Sequence, residues 1–489
     1  MGCFKTKLTL DVQLVRELTT DHSTVSYKSF NTRPLYFPAE YSTSTTEAHQ
    51  TSRPRHAVYT RMNAGKSCLS AAKLAADSLV NTACILLTDK GEVLHSHIDI
   101  HRIKMSFDNL SLCVERGTGG LQKPVVVQST LPAVPPKDHV VIRVSSFAFS
   151  TNNITYGQLG ETPGFLYFEF HPAPETSETS PKTHGVLPVW GFGTVEASSH
   201  PEVKVGEKVY GYFSMSRYMM VPIDRITPNA YFVPRPHLPS QFVPYNTITR
   251  CSADPMYRQD KEPETALYRP LFWTSFWMED WLNYEKYKGA DNILVTSASS
   301  KTAYCFAYVA KKRNETSENK RQVIGLTSAR NVEFTKKLGL YDQVFTYEEL
   351  NKVKTEGKWV YVDVSGNKEL NEKIFEHFNS AGSPLAAAII LGMTNIESPK
   401  DSAMTQRDKM ETFFTPMWLA KRKEFTTLEE IAEMQKKAWS ELMNDSVSWL
   451  QMQDTFYNDI VPRYSDIAKG IVEPDKGHTF SMWTEESKL

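Results

Sequence analysis

The spacing of apolar residues predicts a β-rich domain in the first half of the chain. From residue 105 to 264, short apolar stretches alternate with polar residues and are broken by proline and glycine, as in VVVQSTLPAVPPKDHVVIRVSSFAFS. Alternation with a period of two is typical of strands that bury one face. We therefore expect residues 105–264 to form a largely β domain, closed into a barrel or sandwich.

From residue 265 to 420 the pattern changes to strands that alternate with helices. The run NILVTSAS is followed by KTAYCFAYVAKKR, whose apolar residues have helical spacing. RQVIGLTSA and WVYVDVSG are further strands, and Gly339 is placed to end the helix NVEFTKKLGL. Right-handed βαβ units of this kind form a doubly wound parallel sheet. Residues 421–489 are predicted to be a helical segment that packs back on the first domain.

Residues 1–104 are rich in Ser, Thr and His and contain only short apolar pieces, so we predict a largely disordered extension. Its start matches Met-Gly-x-x-x-Ser/Thr, with Gly2 as a possible myristoylation site and Cys3 available for a second acyl chain. Two chains would suffice for stable membrane attachment. The alternatives are a chance match of a short pattern and a dispensable extension before a domain that starts near Met105.

Composition limits the classes of function. The 489 residues contain 55 Lys and Arg against 56 Asp and Glu, a net charge of −1, so the chain lacks the positive field that attracts nucleic acid. The six cysteines are scattered singly, which indicates free thiols in a reducing compartment. No stretch reaches the ~18 apolar residues of a membrane span, so a cytoplasmic protein is expected.

The turn TSASSKTA, between the first strand of the predicted parallel sheet and its helix, is the most informative point. A helix N-terminus at this place binds phosphate through unpaired backbone N–H groups. Ala298, Ser299 and Ser300 stand here in place of the usual glycines and offer hydroxyl groups, and Lys301 could add a charge-assisted contact. The candidate cofactor-binding residues are Ser297, Ser299, Ser300, Lys301 and Thr302. The alternative is a Ser-rich cap of a structural helix.

The end of the second strand indicates which nucleotide fits. An NAD site usually has Asp or Glu there, whereas hydroxyl groups and Arg accommodate a 2′-phosphate. This chain has Thr327, Ser328 and Arg330, with no carboxylate among them. NADPH is therefore favoured over NADH, unless Arg330 simply caps or solvates a helix start. Gly392, after the strand AAAIIL, completes the predicted cofactor site.

These features together resemble the medium-chain dehydrogenase/reductase superfamily. The resemblance covers about residues 105 to 450 and is carried, in order, by VGEKVYGY, TSASSKTA, FTKKLGLYDQVFTYEE, YVDVSG and IILGMTN. NNITYG, LPVWGFGTVEAS, GYFSMSRY and FFTPMWLAKRKE are similar to an uncharacterised branch catalogued only as a domain of unknown function. The resemblance implies a GroES-like β-barrel domain followed by a Rossmann-type doubly wound parallel sheet, and a homodimer joined through the nucleotide domain.

The resemblance also implies a type of chemistry. The Cys and Gly-His-Glu ligands of the zinc alcohol dehydrogenases are not found in order, and we interpret His171, His184 and His200 as surface loop residues. The zinc-independent members are reductases that move hydride from NADPH to an enone, quinone or enoyl-type small molecule. The alternative is a catalytically inactive relative that acts as a binding or scaffold protein, since fold does not imply function.

In such a reductase the protein supplies orientation, an oxyanion donor and a proton. Asn152, Asn153 and Tyr156 occupy the place of the superfamily's cleft residues, where an amide or a phenol can bond a substrate carbonyl. Tyr212 and Tyr218 are second candidates, and each tyrosine could equally be an ordinary buried aromatic residue. Trp273, Trp277 and Trp281 recur every four residues along one side of a helix. The first interpretation is an aromatic stripe in the interdomain core. The alternative is a wall for a flat, lipophilic substrate.

Overall fold

In a computed structural model, the residues that the structure describes form 20 strands and 9 helices. It describes residues 83–87, 93–97, 106–364, 366–391, 410–446 and 448–488. The described residues from Phe107 onwards belong to one compact unit, and those before it to another.

The strands are β1 (Ala83–Leu87), β2 (Val93–His97), β3 (Ser106–Glu115), β4 (Pro124–Pro132), β5 (His139–Ala148), β6 (His184–Gly185), β7 (Pro188–Ser198), β8 (Lys208–Ser214), β9 (Tyr218–Pro222), β10 (Arg225–Ile226), β11 (Ala230–Phe232), β12 (Thr247–Arg250), β13 (Asn292–Val295), β14 (Gln322–Thr327), β15 (Gln343–Thr346), β16 (Trp359–Asp363), β17 (Ala387–Ile390), β18 (Glu411–Thr412), β19 (Gln451–Thr455) and β20 (Lys476–Phe480). The helices are α1 (Thr151–Gln158), α2 (Glu262–Tyr284), α3 (Lys301–Thr316), α4 (Val332–Lys337), α5 (Lys368–Ser380), α6 (Thr415–Arg422), α7 (Leu428–Ser446), α8 (Ile460–Ala468) and α9 (Glu485–Lys488).

The first domain is β-rich, as predicted. Its main sheet has the strand order β10-β11-β12-β8-β7-β5-β20-β19, with β9 also paired to β5, and β4-β3-β6 form a second sheet. The inward-facing apolar residues of these strands, among them Val140, Ile142 and Phe147, are fully buried in one core. The sheet supports α1, which starts directly after β5.

One segment differs from the prediction. The C-terminal segment is not purely helical, because β20 pairs antiparallel with β5 and parallel with β19. In the loop between α1 and β6, Tyr167–Glu169 forms a 3-10 turn that follows Leu166 at a φ of 48°. Its aromatic side chains are buried against the first domain, which a two-residue periodicity does not reveal.

The second domain contains the doubly wound sheet. Its strands lie in the order β15-β14-β13-β16-β17-β18, and all neighbouring pairs are parallel. Numbered within the sheet this is 3-2-1-4-5-6, the strand order of dinucleotide-binding sheets. The predicted fold class is therefore confirmed. Strands β14 and β15 extend the sheet on one side of β13, and β16 to β18 extend it on the other, so the strand order reverses between β13 and β16. A ligand crevice is expected where these two strands end.

Helix α2 carries a buried polar network that joins it to α3 and α6. Glu279 is completely buried and accepts hydrogen bonds from Arg313 Nε and Nη2 at 2.6 and 2.7 Å, and another from the Tyr287 hydroxyl. On the same helix, Asp280 accepts from Trp418 Nε1 at 2.9 Å and from Arg422 Nε at 3.0 Å. These contacts fix α2 against α3 and α6, beside the crevice.

The part of the chain before the first domain is described only as the antiparallel hairpin β1–β2. The hairpin accounts for ten residues, and a largely disordered extension stays a prediction. Gly2 and Cys3, the predicted acylation sites, lie outside the described residues. None of the described helices combines the length and the hydropathy that crossing a bilayer requires. Cys113, Cys251 and Cys305 are buried free thiols.

Candidate functional site

The turn after β13 begins helix α3 at the crevice. Ser297 adopts a left-handed conformation with φ of 51°, and its carbonyl accepts a hydrogen bond of 2.7 Å from the Ser300 N–H. Ser300 caps the helix, because its Oγ accepts from the Ala303 N–H at 3.2 Å. The turn therefore has the geometry of an anion-binding helix start, although the backbone N–H groups of Ser300 and Ala303 are already satisfied by the chain.

The turn is bound to the end of β14. Thr327 Oγ1 and Asn331 Nδ2 both donate to Ser299 Oγ, each at 3.0 Å. Gly325 allows this approach, since a Cβ atom there would lie 2.8 Å from the Ala298 Cβ. The structure thus brings together Ser299 and Thr327, which lie at the ends of two neighbouring strands and were predicted to belong to one site.

Lys301 and Thr302 are engaged in other contacts. Lys301 Nζ donates to the Pro474 carbonyl at 3.2 Å, and burial lowers the pKa of this lysine to about 8. The Thr302 carbonyl accepts from Ser275 Oγ of α2 at 3.1 Å. The ammonium predicted to reach a phosphate is directed to the C-terminal segment.

Ser328 and Arg330 follow β14 at the rim of the crevice. Ser328 is half-buried, and the Arg330 side chain is exposed, with Nη2 3.5 Å from the Gly470 carbonyl. Thr327, at the strand end, is buried. Gly392 lies outside the described residues.

Asp363, at the end of β16, was missed by the sequence reasoning. It is fully buried, and Oδ1 accepts from Thr296 Oγ1 at 3.1 Å and from the Gly366 N–H at 3.0 Å. Asn371 Nδ2 donates to Oδ2 at 2.7 Å. Asp363 therefore ties together the two strand ends that flank the crevice. The signal in the sequence was a carboxylate that ends an apolar strand.

The second group of candidates lies on α1 in the first domain. Asn153 belongs to the cap of this helix: its Oδ1 accepts from the Ser150 N–H at 2.9 Å, and its Nδ2 donates to the Pro188 carbonyl at 3.3 Å. Its amide thus has a role in the fold. Asn152 is half-buried and lines, with Trp190 and Pro270, a cavity of about 10 Å³, which has room for one water molecule.

Tyr156 is buried and bonded through its hydroxyl oxygen. Trp190 Nε1 donates to this oxygen at 3.4 Å, and the Asn152 side chain also forms a hydrogen bond with it. Burial is the largest influence and raises the pKa of Tyr156, whereas both hydrogen bonds lower it. The two contacts fix the position of the phenol on α1, within a buried aromatic cluster.

Tyr212 packs edge-on against Tyr156, with ring centres 5.5 Å apart. It is 2% exposed, and its hydroxyl is buried without a hydrogen-bond partner in the described part of the chain. Burial raises the pKa of Tyr212 well above its usual value of 10. Tyr218 lies in another cluster, 4.8 Å from Phe107 and 5.3 Å from Trp483 between ring centres. The structure therefore brings Tyr156 and Tyr212 together and leaves Tyr218 apart.

His171 is not the surface residue that the sequence indicated. It is 6% exposed, its Nε2 lies 3.0 Å from the Tyr212 carbonyl oxygen, and burial lowers its pKa to about 3. Arg235, which sequence reasoning missed, is buried beside it. Both belong to segments without regular structure, where periodicity gives no signal.

The tryptophans of α2 lie in the core. Trp277 is completely buried, Trp273 packs on Trp439 with ring centres 5.7 Å apart, and Trp281 packs on Phe413 at 5.6 Å. This packing favours the interpretation as an interdomain core. Within the described residues, no group of three or more His, Cys, Asp or Glu side chains is arranged to hold a metal ion.

Comparison with known proteins gives a family match. The model of the family described as "Protein of unknown function (DUF2855)" matches residues 147–473, which agrees with the resemblance noted from the sequence. No curated protein matches the chain.

Solved structures are similar at low identity. CurA of Vibrio vulnificus in complex with NADPH is 15% identical, with a TM-score of 0.47, over 77% of this chain and 99% of that chain. The yhdH oxidoreductase of Salmonella enterica in complex with NADP is 12% identical, with a TM-score of 0.43, over 76% and 99%. Human synaptic vesicle membrane protein VAT-1 homolog-like protein is 14% identical, with a TM-score of 0.43, over 76% and 98%. At this level, neither ligand nor activity transfers to this chain.

Proposed function

The chain belongs to the DUF2855 family, and we propose that it is a zinc-independent, NADPH-dependent reductase of a carbonyl-conjugated small molecule, such as an enone, a quinone or an enoyl compound. The observation that carries the proposal is the 3-2-1-4-5-6 strand order of the parallel sheet, in which a hydroxyl-rich turn starts α3 at the switch point where sheets of this kind bind their ligands. No activity is implied by the family description itself, so the proposal depends on the geometry of the site.

The donors around the crevice fit NADPH. Hydroxyl groups of Ser297 and Ser299 and the start of α3 would hold the pyrophosphate, where the helix dipole favours negative charge. Ser328 and Arg330 would hold the 2′-phosphate. The end of β14 has no carboxylate that would repel this phosphate. The guanidinium of Arg330 has five N–H donors, so its one long contact to Gly470 leaves most of them to a ligand.

Tyr156 would act on the substrate. The bound nicotinamide supplies a hydride, and a conjugated acceptor that receives it develops negative charge on its carbonyl oxygen. Because Trp190 and Asn152 occupy the oxygen of Tyr156, its O–H is directed to another acceptor. A substrate oxygen at this place would accept that hydrogen bond, which stabilises the enolate. One proton then completes the saturation of the double bond, taken from Tyr156 or from water.

A binding or scaffold protein is the second candidate, and one observation favours it. Ser300 Oγ and Lys301 Nζ, two of the groups predicted to bind phosphate, already form hydrogen bonds within the chain. A turn that is satisfied by its own fold does not require a nucleotide.

Binding of both nucleotides to the full-length chain separates the two candidates. We expect calorimetric titration to give a lower Kd for NADPH than for NADH, and NADPH to raise the melting temperature, since a ligand that binds the native state stabilises it. Oxidation of NADPH is then measured at 340 nm with an enone, a quinone and an enoyl thioester. If neither nucleotide binds, the reductase proposal is wrong and the binding protein remains.

A further inference from the structure

The aromatic cluster beside Tyr156 has a buried cation at its other end. Arg235 is 8% exposed, its Nε donates to the Phe170 carbonyl at 3.1 Å, and its Nη1 donates to Asn246 Oδ1 at 2.8 Å. Both acceptors are neutral. No carboxylate in the described part of the chain pairs with Arg235, and burial lowers its pKa to about 10.

A buried guanidinium without a counter-ion is costly, because the charge has lost its water and gained no opposite charge. The two neutral acceptors could be satisfied by an amide at far smaller cost. The Nη2 group has no acceptor among the described residues, and it is not sealed from solvent. The arrangement is therefore that of a site in which an anion completes the pairing.

The surroundings of Arg235 show what kind of anion fits. Its guanidinium carbon lies 5.2 Å from the centre of the Phe170 ring, and Phe170 packs edge-on against Tyr212 with ring centres 5.3 Å apart. The unpartnered Tyr212 hydroxyl is a second donor in the same cluster. Tyr156 follows beyond Tyr212, so the cation and the proposed hydrogen-bond donor to the substrate lie at opposite ends of one aromatic cluster.

We propose that Arg235 binds a carboxylate of the substrate, so that the substrate is a conjugated enone or enoyl compound with a carboxylate at the end away from its reacting carbonyl. This inference rests on the proposed reductase function and specifies its substrate class. The Nη2 group of Arg235 would donate a charge-assisted hydrogen bond to the carboxylate, and the neighbouring aromatic rings suit a conjugated chain. The Tyr156 hydroxyl bonds the carbonyl oxygen, while Arg235 holds the other end of the molecule.

The test compares a carboxylate with its ester. The full-length protein is assayed with NADPH and either 3-benzoylacrylate or methyl 3-benzoylacrylate, which share the enone and differ in the charge. We expect kcat/KM to be about 10- to 100-fold higher for the acid, the range of a charge-assisted pair. Arg235→Gln is expected to remove this preference, so that the variant's kcat/KM values for the acid and the ester become equal.

Arg225→Gln is the matched control. Arg225 is an exposed arginine of the same domain that stacks on Phe232, with its guanidinium carbon 3.4 Å from the ring centre. Its substitution should preserve the preference for the acid. Binding of the saturated acid 3-benzoylpropionate and of its methyl ester, measured by calorimetry, gives a readout that does not depend on turnover.

The outcomes distinguish the two proposals. Equal kcat/KM for acid and ester, or equal binding of the saturated pair, overturns the carboxylate site and leaves the reductase function standing. Absence of NADPH binding overturns both. If Arg235→Gln does not fold, the acid-to-ester ratios of the unmodified protein still decide, because they require no variant.

Discussion

The Arg330→Ala substitution tests the proposed 2′-phosphate contact directly. The Arg330 side chain is exposed, and its hydrogen bond to the Gly470 carbonyl is 3.5 Å long. Because an exposed side chain with one long contact contributes little to folding, the free energy of unfolding should change by less than about 0.5 kcal/mol. A change in nucleotide affinity can therefore be attributed to the lost contact.

The expected magnitude follows from the type of contact. A hydrogen bond between a guanidinium and a phosphate is charge-assisted and contributes about 1.5–3 kcal/mol. Since about 1.4 kcal/mol corresponds to a factor of ten, the Kd for NADPH should rise about 10- to 150-fold. NADH has no 2′-phosphate, so its Kd should stay the same.

Calorimetric titration of the full-length protein with each nucleotide measures both values. Arg258→Ala is the control, because Arg258 is also exposed but pairs with Asp260, in the segment before α2. This variant should bind NADPH normally. Equal losses of affinity for NADPH and NADH in Arg330→Ala, or no loss for NADPH, would refute the assignment of the 2′-phosphate to this turn.

Three further predictions concern catalysis and stability. Tyr156→Phe should lower kcat of NADPH oxidation by about 10²- to 10³-fold with little change in the Kd for NADPH, and an unchanged kcat would exclude Tyr156 as the proton donor. Arg313→Met leaves the completely buried Glu279 without its cation, so urea unfolding should show a loss of about 3–5 kcal/mol; a loss below about 1 kcal/mol would contradict this. The pKa of His171 is lowered from 6.5 to about 3 by burial, so the unfolded state binds more protons in this range. The stability that His171 contributes is complete above pH 6.5 and falls by about 1.4 kcal/mol per pH unit as the pH drops towards 3. His171→Gln should reduce the slope of unfolding free energy against pH by this amount between pH 6 and 4, and parallel curves would show that His171 is not buried in its neutral form.

The second domain could be predicted from local patterns because its elements follow one another in the chain. The helix KTAYCFAYVAKKR lies within α3, and Gly339 follows α4 with a φ of 64°, as expected of a residue that ends a helix. The strand WVYVDVSG contains β16. Each of these signals depends on residues a few positions apart, where backbone geometry determines the periodicity.

The candidate site was predictable only in part. Ser299 and Thr327 could be assigned to one site because parallel strands end at the same edge of a sheet. Lys301 was expected at a phosphate, but it contacts Pro474, which lies 173 positions further along the chain. Asn153 was expected at the substrate, but its amide is used by the helix cap and Pro188. The type of a residue determines which hydrogen bonds its side chain can form. Which partner it finds depends on the packing of distant segments.

The sequence by itself determined the βαβ order, the hydroxyl-rich turn and the absence of a carboxylate at the end of β14, since these are properties of contiguous residues. Only the tertiary structure decided that β20 joins β5, that His171 is buried and that Arg235 lies in the aromatic cluster of Tyr212. The physical reason is that burial and electrostatic environment depend on contacts between distant segments. Such contacts determine the pKa values of His171 and Arg235, and they leave the Tyr212 hydroxyl without a partner among the described residues.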